Sequence, residues 1–244
     1  MSSGQKRPQS ATVPGNNQED PEPGLFARPS FFRIAPFALY LAFLAINDAL
    51  LRLGWDAGDL RWLYPIRIGL VALMLLAFRR AYSELAWRTL SLPSAAAACV
   101  TGIVVFVLWI ALDARWMLIG ESAGFNPMVD GQLDWLLITL RIAGAALVVP
   151  VMEELFWRSF LLRWLQQQRF LELYPAQVGL RALMIAALLF GVEHNQWLAG
   201  IIAGLAYSFL YMRTGNLWSA ILSHCVTNAL LGVWIVSTSS WTYW

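Results

Sequence analysis

The sequence predicts an all-α fold, a polytopic transmembrane helix bundle of about seven to eight spans behind a disordered polar N-terminal tail. Three observations carry this expectation. Of 244 residues, 59% are apolar and only 13% charged. Mean hydropathy is +0.57. Several apolar stretches approach or exceed the roughly 18 to 20 residues that a helix needs to cross a bilayer, and many are flanked by Arg or Trp. A soluble domain rarely has such a composition. The formal charge is +2, with the basic residues scattered and no run of Lys or Arg, so nucleic-acid binding has no support.

Residues 1–30 are rich in Ser, Gln, Asn, Pro and Gly, and no apolar run follows Lys6 and Arg7. This reads as a disordered cytoplasmic tail and not a signal peptide, leaving residues 31–244 as one transmembrane domain without internal repeats. Apolar segments follow at Pro36–Leu53, Leu63–Phe78, Ala95–Leu112, Trp135–Leu165, Leu180–Trp197, Leu198–Met212 and Leu217–Val236. The fourth is longer than a bilayer is thick and contains Pro150, so it is one kinked helix or two. Positive charge arbitrates. With a single crossing and the N-terminus inside, the inner side collects Lys6, Arg7, Arg28, Arg33, Arg79, Arg80, Arg88, Arg163, Arg169, Arg181 and Arg213, against Arg52, Arg61 and Arg115 outside. One kinked crossing is therefore expected.

Within that long segment, Val151 to Phe160 reads VMEELFWRSF. Ionisable groups at such depth are expensive and rare. Glu154 and Arg158, four apart, share a helix face as a candidate ion pair. Glu153 is rotated by about 100° from Glu154, and its neighbour four residues on is Trp157, so any charge partner must come from another helix. The chain has two histidines. His194 ends the run LLFGVEH and His224 lies in ILSHCVTNALL, each expected within an apolar helix, with Phe190 and Asn228 four residues away on the same faces. A lone membrane histidine is more often a hydrogen bonder between helices. Three helices that each carry polar groups satisfy them most cheaply by converging on one cavity.

These motifs, EExxxR at Glu153, Glu154 and Arg158, FxxxH at Phe190 to His194, and HxxxN at His224 to Asn228, occur in an order that resembles the CAAX protease and bacteriocin-processing family of intramembrane proteases, which includes the type II CAAX prenyl endopeptidases. The three motifs span residues 153–228. The resemblance implies that Glu153 and His194 activate a water, that His224 and Asn228 stabilise the oxyanion, and that Glu154 and Arg158 support the site. It implies membrane lipid and a membrane-associated or lipid-anchored peptide or protein as partners, and no cofactor. The run EHNQWLAG, with Glu193 ahead of the histidine, is similar to a bacterial CAAX protease-related subgroup, which implies a bacterial inner membrane.

Other readings compete with this one. Two histidines and a glutamate are enough for a three-ligand catalytic zinc site, which makes a metal-dependent protease an alternative. Buried acids, arginines and histidines also build proton relays, which makes a transporter another, with Asp48 and Arg141 as a cross-helix pair. Arg67, near a helix end, is expected to snorkel. GESAG at Gly120 to Gly124 matches G-x-S-x-G, but a nucleophilic Ser122 needs a strand-to-helix elbow that this loop lacks. Gly200 and Gly204 read as a small-residue packing face. Cys99 and Cys225 read as small buried hydrophobes. A catalytically silent scaffold is disfavoured because Glu153, His194 and Asn228 are all present.

Overall fold

A computed structural model describes residues 24–25, 28–86, 90–120 and 124–244. Most of the expected polar tail, and Ser122, lie outside the described residues. Seven helical segments make up most of the described structure: α1 (Pro29–Arg52), α2 (Leu63–Ala77), α3 (Leu92–Ala111), α4 (Trp135–Trp164), α5 (Leu180–Glu193), α6 (Trp197–Thr214) and α7 (Leu217–Thr238). The only strands among the described residues are a two-residue hairpin, Met128–Val129 with Gln132–Leu133, turned through Asp130 and Gly131 at positive φ.

Helix α1 starts at Pro29, seven residues before the apolar run. Proline suits the first helical position because its missing N–H needs no partner there. The early start also puts Arg33 in the helix, where it is fully buried and hydrogen-bonded. Five segments are long and apolar enough to cross a membrane: α1, α2 with its preceding turn, α3, α4 and α7. Five such helices among the described residues are fewer than the seven to eight spans expected, and α5 and α6 form a tight pair beside them. At 14 residues, α5 is about 21 Å long, shorter than a bilayer core.

The pair α5 and α6 is close because glycine lets it be. A Cβ on Gly200 would stand 2.9 Å from the Cα of Gly191, and one on Gly191 would stand 2.7 Å from the carbonyl of Trp197. Gly200 and Gly204 do face the neighbouring helix, as their spacing suggests. The break between α5 and α6 exposes backbone groups that a membrane interior cannot leave unpaired. The loop after α3 answers one of them, Ile119 N donating to Asn195 O at 2.7 Å, and the Gln196 side chain in turn serves the end of α3, its Nε2 donating to Trp109 O at 2.7 Å.

The long α4 is one continuous helix of 30 residues. Its irregularity is not a break at Pro150 but two π-helical turns, Gly144–Val148 and Leu155–Leu161. A proline ring clashes with the carbonyl four residues back, here Ala146, and the first widened turn lies at that place. At one end of the bundle Glu84, in the turn after α2, accepts from Arg33 at the start of α1, from Ser159 and, at 3.2 Å, from Arg163 near the end of α4. Burial opposes the charge on Glu84, but the hydrogen bonds and charge of Arg33 outweigh it and hold the carboxyl below its usual range. This cluster ties together the start of α1, the end of α2 and the end of α4.

Candidate active site

The first π turn of α4 frees a carbonyl. Pro150 has no N–H to offer, and Ala145 O instead accepts from Asn228 Nδ2 of α7 at 2.8 Å. Asn228 is thereby fixed in place, and the second hydrogen of its amide stays available.

One turn further along α4 the two glutamates part. Glu154 is fully buried, and its Oε1 accepts from Arg158 Nη1 at 3.1 Å and lies 2.8 Å from His224 Nδ1. Glu153 lines a cavity of about 840 Å³. The rotation between consecutive helical residues puts them on opposite sides of the cavity wall. No cross-helix ion pair to Glu153 is found among the described residues, and its Oε2 accepts no hydrogen bond from them. The charge partner expected on another helix is therefore missing among the described residues: Glu153 is buried in the lining of the cavity, with Oε2 closed off and unpartnered.

His194 is not within a helix. It follows the last residue of α5 with extended backbone, φ −98° and ψ 142°. Its ring turns back so that Nδ1 lies 2.7 Å from the carbonyl of Phe190. A carbonyl only accepts, so Nδ1 carries the hydrogen and Nε2 presents its lone pair. Phe190 packs against both histidines, with ring centroids 4.6 Å from His194 and 6.4 Å from His224. The shortness of α5 is the reason: it ends inside the bundle and delivers His194 there.

The same cavity is lined by His194, His224 and Asn228 as well as Glu153. Glu154 and Arg158 lie behind its wall. Arg158 stacks over Phe190 with its guanidinium 4.2 Å from the ring centroid. Sequence reasoning missed Tyr207 of α6, whose ring stacks on His224 at 5.1 Å and whose hydroxyl donates to Thr227 Oγ1 at 2.7 Å. The available signal was its helical spacing from Gly200 and Gly204, which puts all three on one face. Trp109 of α3, edge-on to His194 at 5.3 Å, carried no such signal.

Two expectations are corrected. Asp48 pairs with Arg52 on its own helix at 2.9 Å, both well exposed, and not with Arg141. The shorter reach along one helix wins over a pairing that would need Asp48 to point inward. Arg67 does not snorkel: it is 8% exposed and lies over the ring of Tyr40 at 4.1 Å, because its side chain points to the cavity and not to the bundle surface. Cys99 and Cys225 are free and half-buried. Among the described residues no three His, Cys, Asp or Glu side chains are grouped as metal ligands.

Residues 135–230 match the family model described as Rce1-like, type II CAAX prenyl endopeptidase Rce1-like. No curated protein and no solved structure gives a significant match. The matched residues cover all three motifs and leave α1 to α3 outside. The apolar helices and the family match support an integral membrane protein, of which residues 135–230 are similar to that family.

Proposed function

We propose, from the premise that residues 135–230 belong with the type II CAAX prenyl endopeptidases, that this protein is an intramembrane endopeptidase that needs no metal and hydrolyses a peptide bond of a membrane-associated or lipid-anchored substrate. The single observation that supports it most is that Glu153 of α4, His194 just past the end of α5, and His224 and Asn228 of α7 line one cavity.

Each group has a chemical role there. Glu153, with an oxygen that no protein donor occupies, and His194, with Nε2 left as an acceptor by its bond to Phe190, take the proton of a water as its oxygen attacks the scissile carbonyl. The carbonyl oxygen becomes an oxyanion that accepts from the second amide hydrogen of Asn228 and from Nε2–H of His224. Nδ1 of His224 is engaged by Glu154, which orients the ring and leaves Nε2 to face the oxyanion. When the tetrahedral species collapses, the C–N bond breaks, the leaving amine takes the proton, and the new carboxylate carries the oxygen of the water. The chain sits in a bacterial inner membrane with its N-terminus in the cytoplasm.

The test is hydrolysis in ¹⁸O-labelled water. The purified protein, reconstituted in liposomes with a mixed set of lipid-anchored peptides, should release fragments whose new carboxylate carries one labelled oxygen. Absence of new termini, together with ion flux that depends on Glu153, would replace this reading by that of a transporter.

A further inference from the structure

The cavity has a second charged region that the proposed chemistry does not use. Arg67 of α2 and Arg141 of α4 both line it. Both guanidinium groups lie against the ring of Tyr64, at 4.9 Å and 4.7 Å from its centroid. They are thus no more than about 10 Å apart, close enough for two like charges to repel in a medium of low dielectric. Tyr64 itself is held by its hydroxyl, which donates to the carbonyl of Arg141 at 2.9 Å.

Neither arginine is neutralised by the protein. Among the described residues neither has a carboxylate within ion-pair distance, and neither guanidinium donates a hydrogen bond. Arg67 is more than nine-tenths buried, and its Nε has no partner. Aromatic faces take part of the burden: Tyr40 under Arg67, and Phe125 and Trp244 beside Arg141. A ring face satisfies none of the planar, forked N–H donors that suit a carboxylate or phosphate. Of the residues that line the cavity, three are arginines, Arg61 being the third, and Glu153 is the one acid.

We propose that Arg67 and Arg141 form an anion subsite that holds an oxyanion group of the substrate, a carboxylate or a phosphate, while Glu153 works further along the same cavity. This rests on the reading of that cavity as the substrate site. Arg141 and Glu153 are on one helix, roughly 18 Å apart along its axis. An extended peptide spans that distance in about five residues. The anionic group and the bond that is cut therefore belong to one short stretch of substrate. Arg67 lies outside the residues that match the family model and Arg141 within them, and neither belongs to the three motifs.

Binding to the full-length Glu153→Gln protein in nanodiscs tests the subsite without requiring cleavage, so its outcome is separable from that of the protease reading. The probes are mixed-sequence apolar pentapeptides carrying a neutral dye at the amino end, each made with a free carboxyl end and with an amide end. The acid forms should bind about tenfold or more tightly than the amides, as expected for a charge-assisted contact. Arg67→Gln and Arg141→Gln, each added to Glu153→Gln, should bring the two forms together, and Arg67→Lys should keep part of the preference. A second arm uses nanodiscs containing phosphatidic acid. Arg67-dependent binding of that lipid in place of the peptide acid would support the same subsite with a phosphate as its occupant. Equal binding of acids and amides with no Arg67-dependent lipid binding, or a preference that survives both Gln variants, overturns the proposal. Thermal melts of each variant show that the fold is intact, and Arg67→Lys and Arg141→Gln keep the test open if Arg67→Gln does not fold.

Discussion

Glu154 of α4 and His224 of α7 meet across helices at 2.8 Å, and the carboxylate oxygen that joins them is the same one that Arg158 reaches at 3.1 Å. The residue beside it, Glu153, enters the cavity instead. Two consecutive carboxylates therefore have separate places, one meeting a histidine and the other lining the cavity.

Replacing Glu153 with Gln keeps the shape and removes the proposed base. The variant should insert and melt like the parent while peptide hydrolysis falls by roughly a hundred- to ten-thousandfold. Turnover of a lipid-anchored peptide, measured beside a melting curve, checks this. Undiminished cleavage would sink the mechanism.

Asn228→Ala removes the proposed oxyanion donor and should lower kcat by about a hundred- to a thousandfold with KM little changed. It also leaves Ala145 O without its partner, so the melting temperature should drop, by an amount set by an unmet buried acceptor worth about 1–3 kcal/mol. His224→Ala should lose more activity, since it also leaves Glu154 with Arg158 as its one remaining neighbour on Oε1. Bound metal measured in parent and variant decides against the zinc alternative or for it. Stoichiometric zinc that disappears in His224→Ala would overturn the metal-free reading.

Glu84→Ala leaves Arg33 and Arg163 buried without a carboxylate, and such losses cost about 3–5 kcal/mol. Because the native carboxyl of Glu84 is held below its ordinary value, the stability it contributes is fully present above the unfolded value and is lost as pH falls through the native one. Melting curves of the parent should therefore weaken on acidification below about pH 4. Those of Glu84→Gln should show less of this slope. Identical slopes would remove Glu84 from the account.

Gly191→Ala places a methyl group 2.7 Å from the carbonyl of Trp197 and closer still to Ile201. Both α5 and α6 must then move apart, and His194, three residues on, moves with them. Activity should fall by roughly tenfold or more while the protein still inserts, since a displacement of about 1 Å near a reacting centre is enough to cost a hundredfold. Parent-like turnover in Gly191→Ala would show that the helix contact does not position His194.

The helices were legible in the sequence because hydrocarbon allows little else: apolar runs of sufficient length must close their own hydrogen bonds, so composition and length settle the class and the seven segments. The motif residues were legible for a related reason, since a charged or polar side chain in an apolar helix has a cost that only a partner or a function repays. What each polar group touches was not legible. Spacing makes Glu154 and Arg158 neighbours, but nothing in the order of residues says that His224 joins them, or that Asn228 is anchored by a carbonyl that Pro150 leaves free. Spacing likewise does not say that α5 stops short and turns His194 into the bundle, or that Arg67 and Arg141 share the ring of Tyr64. Periodicity fixes which residues share a face of one helix, whereas the rotation and depth of that helix against its neighbours are set by where glycines permit close approach and where π turns shift the register. Those are properties of packed surfaces, and only the tertiary structure decides them.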